Sequence, residues 1–358
     1  MEFTKQDTKI MKGIAILLML CHHLFAFPDR LNGASYVSMP FINGTNAAMF
    51  IANFGKICVA LFTLLGGYGT YLSITHTKNR SELVGRHLSQ LYVSYWKVFV
   101  IAVPVSLLLG LPHASPFFAD LIYSFLGLHF TYCNEWWFVT PFAVLTVCSP
   151  LIARFADRRN ASLQSSLLWL VCANAVIYYI IPPLMRTPLL LEFSETLFWT
   201  EVYTAVTLLP AYAFGMVLAK HGTFSAAKEY CHARRTLSAP AALIVLGGLL
   251  YIHSFNWLAY DFINAAVFVV CMLALVQTRI GAFMTPLLVK FGEESTCMWL
   301  VHTLLCYKWC QKLVYAPKFA PLIFLWLVAL SYGFAKLIRL FYSMLGKAYL
   351  KILKTEKT

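Results

Sequence analysis

Four stretches of this sequence carry ionisable, hydroxyl or aromatic side chains within apolar surroundings, and each could do chemistry. The first opens with Lys12 and Gly13 and closes with His22 and His23. Eleven helical steps make about 1,100° of rotation and roughly 16 Å of rise. Lys12 and His23 therefore share a face, with the lysine at a membrane surface and the imidazole near mid-bilayer. Desolvation disfavours charge, so an imidazole at that depth is a neutral base or nucleophile. The competing structural reading is a snorkelling lysine and two histidines that only hydrogen-bond neighbouring helices.

The second stretch, Phe62 to Gly69, holds Gly66, Gly67, Tyr68 and Gly69. Small residues there let helix backbones, or a narrow ligand beside Tyr68, come close. The third is Asn134-Glu135-Trp136-Trp137-Phe138. Paired tryptophans suit an interfacial belt, and Glu135 beside Trp136 and Trp137 could equally hold a sugar ring by hydroxyl hydrogen bonds and stacking. The fourth runs from Phe291 to His302. Ser295, Trp299 and His302 fall within about 40° on a helix, with Glu293 and Glu294 one turn below. It is not a hydrolase triad: Ser295 and His302 stand two turns apart, about 10 Å, and no nucleophile elbow surrounds the serine.

The elements that must position these groups are membrane helices. The 358 residues are 60% hydrophobic and 12% charged, which excludes an ordinary water-soluble enzyme. Apolar windows long enough for a hydrocarbon core of about 30 Å run over 10–27, 46–75, 90–111, 134–153, 164–183, 198–219, 238–255, 258–277, 287–310 and 320–343. The segment 116–130 is shorter, carries Asp120 and reads as re-entrant or interfacial. The expected fold is an all-α polytopic bundle of about ten transmembrane helices: one membrane-embedded domain over 1–358, with its core at 10–343, a basic tail at 344–358 and no soluble domain. The first span keeps Lys12 and both histidines and reads as a retained helix rather than a signal peptide.

The formal charge of +13 follows this topology. With the N-terminus inside, the inner segments hold 21 of the 28 lysines and arginines, including Lys5, Lys9, Lys12, Arg80, Arg86, Lys336 and Arg339. The positive-inside rule therefore selects N-in and C-in, and the cluster Lys308, Lys312 and Lys318 is its one violation. Basic residues distributed in this way serve topology and anionic headgroups, not nucleic acid. The ten cysteines are scattered in apolar runs without metal-ligand spacing, so no metal is expected.

In order along the chain, the four stretches resemble the acyltransferase 3 family of integral-membrane O-acyltransferases, and the resemblance covers residues 10 to about 340. That family opens with a basic residue, a glycine and a histidine treated as catalytic, and Lys12, Gly13 and His23 match these. Gly67-Tyr68 matches a Ser-Gly-Tyr element with Gly66 in place of serine, and Trp137-Phe138 matches a Trp-Phe element. Gly292, Ser295, Trp299, Leu300 and His302 match a late Gly-x-x-Ser-x-x-x-Tyr-Leu-x-His element, with Trp for Tyr. Lysine at position 12 replaces the usual arginine, exchanging a bidentate fork for a point charge. Of the closely spaced arginines that follow the second helix in many members, Arg86 alone remains.

The resemblance implies a plasma- or inner-membrane enzyme that moves an acyl group, most often acetyl, from cytoplasmic acetyl-CoA to a hydroxyl of a cell-surface glycan or similar acceptor. His23 would serve as base or transient acyl carrier, with His302 and Glu293 positioning or polarising the partners. Lys12, Arg80 and Arg86 would neutralise the coenzyme phosphates, and Glu135, Trp136, Trp137, Tyr68 and Ser295 would contact substrate. A transporter or flippase using Lys56, Glu201, Asp261 and His23 is the main rival, and an assembly subunit is the other.

Overall fold

In a computed structural model, residues 1–41, 45–111, 114–159, 161–253 and 260–355 are described, with side chains to 347. The side chains of Lys351, Lys354 and Lys357 of the expected basic tail, and the junction of the windows ending at 255 and beginning at 258, lie outside this description. Every regular element among the described residues is helical. In chain order they are α1 (Lys5–Phe25), α2 (Ala47–Phe54), α3 (Cys58–Thr75), α4 (Arg80–Leu108), α5 (Phe118–Leu126), α6 (Val139–Ala156), α7 (Leu163–Ala175) and α8 (Ile181–Met185). Then come α9 (Leu191–Ser194), α10 (Leu197–Lys220), α11 (Thr223–Ala233), α12 (Arg235–His253), α13 (Asp261–Val276), α14 (Arg279–Thr303), α15 (Gln311–Val314) and α16 (Ala320–Thr355).

The helix that carries His23 starts on a capping box. The Thr4 hydroxyl accepts from the Asp7 N–H at 3.3 Å, and the Asp7 carboxylate accepts from the Thr4 N–H at 2.7 Å, satisfying two donors that the first turn cannot pair. Glycines then fix where α1 crosses α14. A Cβ on Gly13 would fall on the Leu288 carbonyl, and one on Gly292 would fall on the Lys9 carbonyl. Backbones in this contact require glycine on both helices, and no alanine substitutes. The same device joins α3 to α10, where Gly67 meets the Tyr212 carbonyl and Gly215 the Leu64 carbonyl. α1 belongs to two apolar cores: Ile10, Met11 and Ala15 pack with α3, α10 and α13, while Ile16, Leu20 and Leu24 pack with α4, α14 and α16.

Charged pairs gather at one end of the bundle. Lys9 donates to Glu293 at 2.7 Å, Lys228 to Asp7 at 2.7 Å, and Lys336 and Arg339 both to Glu294 at 2.8 Å. Lys5 and Ser343 line one cavity there, so the start of α1 and the late part of α16 share this basic end. At the outward faces of α7 and α12, Leu168, Trp169, Leu243 and Ile244 are exposed, as lipid-facing side chains must be.

Among the described residues, eight helices are long and apolar enough to cross a membrane, or nine when α13 and the helix that follows it count as one bent span. Eight of the ten expected windows coincide with these helices. The other two, 258–277 and 287–310, fall on α13 and on Arg279–Trp309, which are bent by 114° at the break between them. α13 has 16 residues, about 24 Å, which is shorter than the hydrocarbon core. The bend has a packing cause, because Gly281 lies so close to the Leu275 carbonyl that no side chain fits between them. α5, at nine residues and about 13 Å, is too short to cross.

Replacing Gly292 with valine drives a branched side chain into the α1 backbone, and overpacking of that kind costs about 1–3 kcal/mol. We expect Gly292→Val to lower the melting temperature in detergent. Gly333→Ala, where nothing lies within 4 Å of the added carbon, should leave it unchanged or raise it. Equal melting of the two variants would remove the close crossing as a determinant of the fold.

Candidate active site

α1 ends where Phe27 and Pro28 follow its cap at Ala26, and the chain turns through a short 3-10 segment, Pro28–Arg30. This leaves His22 and His23 in the last turn of α1, next to α14. His302 sits at the end of α14, where the helix widens into a π segment, Leu304–Trp309. π segments of this kind often accompany functional sites.

The two histidines meet. His23 Nδ1 lies 3.0 Å from His302 Nε2 and 3.1 Å from the Met19 carbonyl, and His302 Nδ1 lies 2.6 Å from the Trp299 carbonyl. These partners assign the protons of the neutral rings. A carbonyl only accepts, so His302 carries its proton on Nδ1 and offers the Nε2 lone pair. His23 then donates its Nδ1–H, and its own Nε2 is left with a free lone pair. His302 is fully buried, whereas His22 and His23 line a cavity of about 210 Å³. His22 is anchored through Nδ1 to the Ala52 carbonyl at 2.8 Å. The Tyr307 hydroxyl donates to the His23 carbonyl and ties the π segment to the end of α1.

The Asn134–Phe138 stretch is locked to α14 by reciprocal indole bonds. Trp136 Nε1 donates to the Leu300 carbonyl at 2.8 Å, and Trp299 Nε1 donates to the Glu135 carbonyl at 3.2 Å. Glu135 accepts from Arg30 Nη1 at 2.9 Å. The Arg30 guanidinium covers the Phe27 ring at 4.3 Å and the Tyr307 ring at 5.5 Å. Arg30, Glu135, Trp137, Phe138 and Trp299 all border the small cavity.

A second, larger cavity of about 1580 Å³ opens at the basic end. Lys5, Lys9, Lys12, His87, Lys97 and Arg339 line it, along with Glu2, Glu293 and Glu294. The two cavities share no lining residue, yet they meet nearly end to end on three helical stretches. Phe62 lines the small cavity and Leu65 the large one; Phe138 the small and Phe142 the large; Trp299 the small and Cys297 the large. Along these stretches the lining passes from one cavity to the other within about one helical turn, roughly 5 Å of rise. The Phe138 and Phe142 rings, with centroids 5.4 Å apart, stand on one of these stretches.

A family model described as an acyltransferase domain, that of acyltransferase 3, matches residues 7–339. The chain belongs to the acyltransferase 3 family. Comparison with curated proteins and with solved structures gave no match. The family and the apolar helices together make the chain a multi-pass membrane acyltransferase.

Within this acyltransferase, the residues singled out in the sequence distribute unevenly. His23 and His302 come together, with Glu135 and Trp137 on the same small cavity as His23. Lys12 lines the basic cavity. Glu293 lies there too, paired with Lys9 and about 13 Å along α14 from His302, so it does not contact the histidine pair. Tyr68 is also on the basic side, stacked on Phe224. Trp136 is fully buried and lines neither cavity. Ser295 is buried, and its hydroxyl bonds back to the Gly292 carbonyl. Arg80 and Arg86 stand in the first two turns of α4 outside the cavity lining, whereas His87 and Gln90 are on it. Arg30, Lys9, His87 and Lys97 are cavity residues that the sequence did not mark as site residues. Arg30 is brought to the site by an ion pair with a residue 105 positions away, which no local spacing reveals.

Trp136→Phe keeps the ring packing and removes the side-chain donor to the Leu300 carbonyl. Loss of one buried hydrogen bond costs about 0.5–1.5 kcal/mol. Thermal unfolding of the purified variant should register that loss, and an unchanged transition would show that the indole bond does not hold the segment.

Proposed function

We propose that this acyltransferase moves an acetyl group from acetyl-CoA in the basic cavity to a hydroxyl of an extracytoplasmic glycan or similar acceptor in the histidine cavity. The observation that carries the reading is that a large basic cavity and a small one lined by His23 follow each other along three helical stretches within about one turn. A donor with several phosphates suits Lys5, Lys9, Lys12 and His87. An acceptor hydroxyl suits the small cavity, where aromatic rings and Asn134 surround His23. On this reading the basic end faces the cytoplasm and both termini are inside, a reading that the distribution of lysine and arginine supports, and the protein resides in the plasma or inner membrane.

His23 Nε2 takes the proton of the acceptor hydroxyl as the oxygen attacks the thioester carbonyl. The C–S bond breaks, an ester C–O bond forms, and protonated His23 returns the proton to the departing CoA sulfur. If His23 instead carries the acetyl group between two half-reactions, the same nitrogen attacks. His302 is a positioning residue in either case: by accepting the Nδ1–H it holds the tautomer that leaves Nε2 free. The donor carbonyl reaches His23 when side chains such as Phe142 turn aside. Coenzyme phosphates are held chiefly by Lys9, Lys12 and His87, with Arg80 and Arg86 at a greater distance.

Radiolabelled acetyl-CoA and a total envelope glycan extract, incubated with protein in nanodiscs, test this directly. His23→Ala should lose transfer while retaining the wild-type elution profile; transfer at the wild-type rate removes His23 from the chemistry. His302→Leu should lower kcat by roughly 10²–10⁴-fold with little change in acceptor KM. His302→Gln, whose amide oxygen can still accept from His23, should recover part of that loss, and identical rates for the two variants would deny His302 its positioning role. Lys12→Gln should raise the KM for acetyl-CoA more than the double variant Arg80→Ala, Arg86→Ala, and the reverse order would move the coenzyme phosphates to the start of α4.

A further inference from the structure

Lys56 belongs to none of the steps above, yet it stands inside the site. It lies in the 3-10 segment Gly55–Ile57 that joins α2 to α3. Its neighbour Gly55 packs so closely on α1 that an added Cβ would sit 3.0 Å from the His22 Cβ. Lys56 is thereby fixed at the depth of the histidines, and it lines the small cavity with them. Lys56 is exposed rather than packed, so its ammonium is free to meet a ligand there.

The charges around this cavity do not balance. Arg30, Lys56 and Glu135 are its charged lining residues, and Arg30 and Glu135 neutralise each other at 2.9 Å. Lys56 has no ion-pair partner among the described residues. Both histidines are assigned as neutral, so one positive charge faces a space of about 210 Å³. Typical small-molecule pockets hold about 300–1,000 Å³, so a single sugar-sized ring fills this one and must bring its polar groups close to Lys56.

We propose that the acceptor carries an anionic group, a carboxylate or a phosphate, on or beside the ring that presents its hydroxyl, and that Lys56 selects it. The inference rests on the small cavity being the acceptor site. Lys56 pairs with the anion while His23 Nε2 faces the hydroxyl, so the ion pair sets which hydroxyl reaches the base. A neutral acceptor of the same size leaves the ammonium unpaired and binds less well.

Binding can be read separately from acyl transfer. Protein in nanodiscs is melted against glucose, glucuronate and glucose 6-phosphate, using wild type, Lys56→Gln, Lys56→Arg and His23→Ala. In wild type, at least one of the two anions should stabilise at a concentration tenfold or more below that of glucose, and the better of the two tells carboxylate from phosphate. Lys56→Arg and His23→Ala should keep that ratio, and Lys56→Gln should bring it near one. The proposal is overturned if neither anion exceeds glucose, or if the preference survives in Lys56→Gln. An anion preference lost in Lys56→Gln but accompanied by no acetyl transfer would instead retire the acyl-transfer reading and leave the selectivity of the cavity standing.

Discussion

A single hydrogen bond between two neutral rings, His23 Nδ1–H to His302 Nε2, is the contact on which the rest of the site depends. It joins residues 279 positions apart and exists because α1 and α14 cross backbone to backbone. Gly13 and Gly292 allow that approach, the pair between Lys9 and Glu293 fastens its basic end, and the Tyr307 bond to the His23 carbonyl fastens the other. The result resembles the histidine–carboxylate pairing of many hydrolases in one respect only: the second group fixes the tautomer of the first. A second neutral imidazole does this without adding a charge that lipid would penalise.

Charge is segregated along the same axis. The cavity at the basic end collects lysines, two histidines and an arginine around three carboxylates, while the cavity holding His23 sets five Phe and Trp side chains beside Arg30, Lys56 and Glu135. On the proposed function, this division would keep a highly charged donor and a hydroxyl acceptor in separate compartments, yet close enough for an acyl group to pass. Such separation would suit two substrates arriving from opposite sides of a bilayer, because neither would have to cross. An aromatic barrier that admits little water would also protect a thioester from hydrolysis.

Much of this was legible in the sequence, and what was hidden is instructive. Eight apolar windows coincide with helices long and apolar enough to cross a membrane, because length and hydropathy are local properties. The break after 277 was legible as the gap between two windows, but the 114° bend between α13 and the helix that follows was not visible, since it involves Gly281 meeting a carbonyl six residues back. Lys12 and His23 could be put on one face of α1, and His302 on a face of α14, from helical periodicity. That the two faces meet is a tertiary fact. Trp136 and Trp137 were indistinguishable in sequence, and the 3-10 turn sends one into the core and the other to the cavity. Arg80 and Arg86 looked suited to phosphate by residue type, but the helix turns His87 and Gln90 toward the cavity instead.

The most direct test is an electron-cryomicroscopy structure with a non-transferable acetyl-CoA analogue in which the thioester sulfur is replaced by methylene. The account predicts phosphates beside Lys9, Lys12 and His87, an acyl arm that has displaced the Phe142 side chain, and the analogue's carbonyl carbon about 3–3.5 Å from the acceptor oxygen or from His23 Nε2. An analogue whose acyl end lies anywhere other than the histidine cavity, with His23 Nε2 turned away from it, would contradict the account.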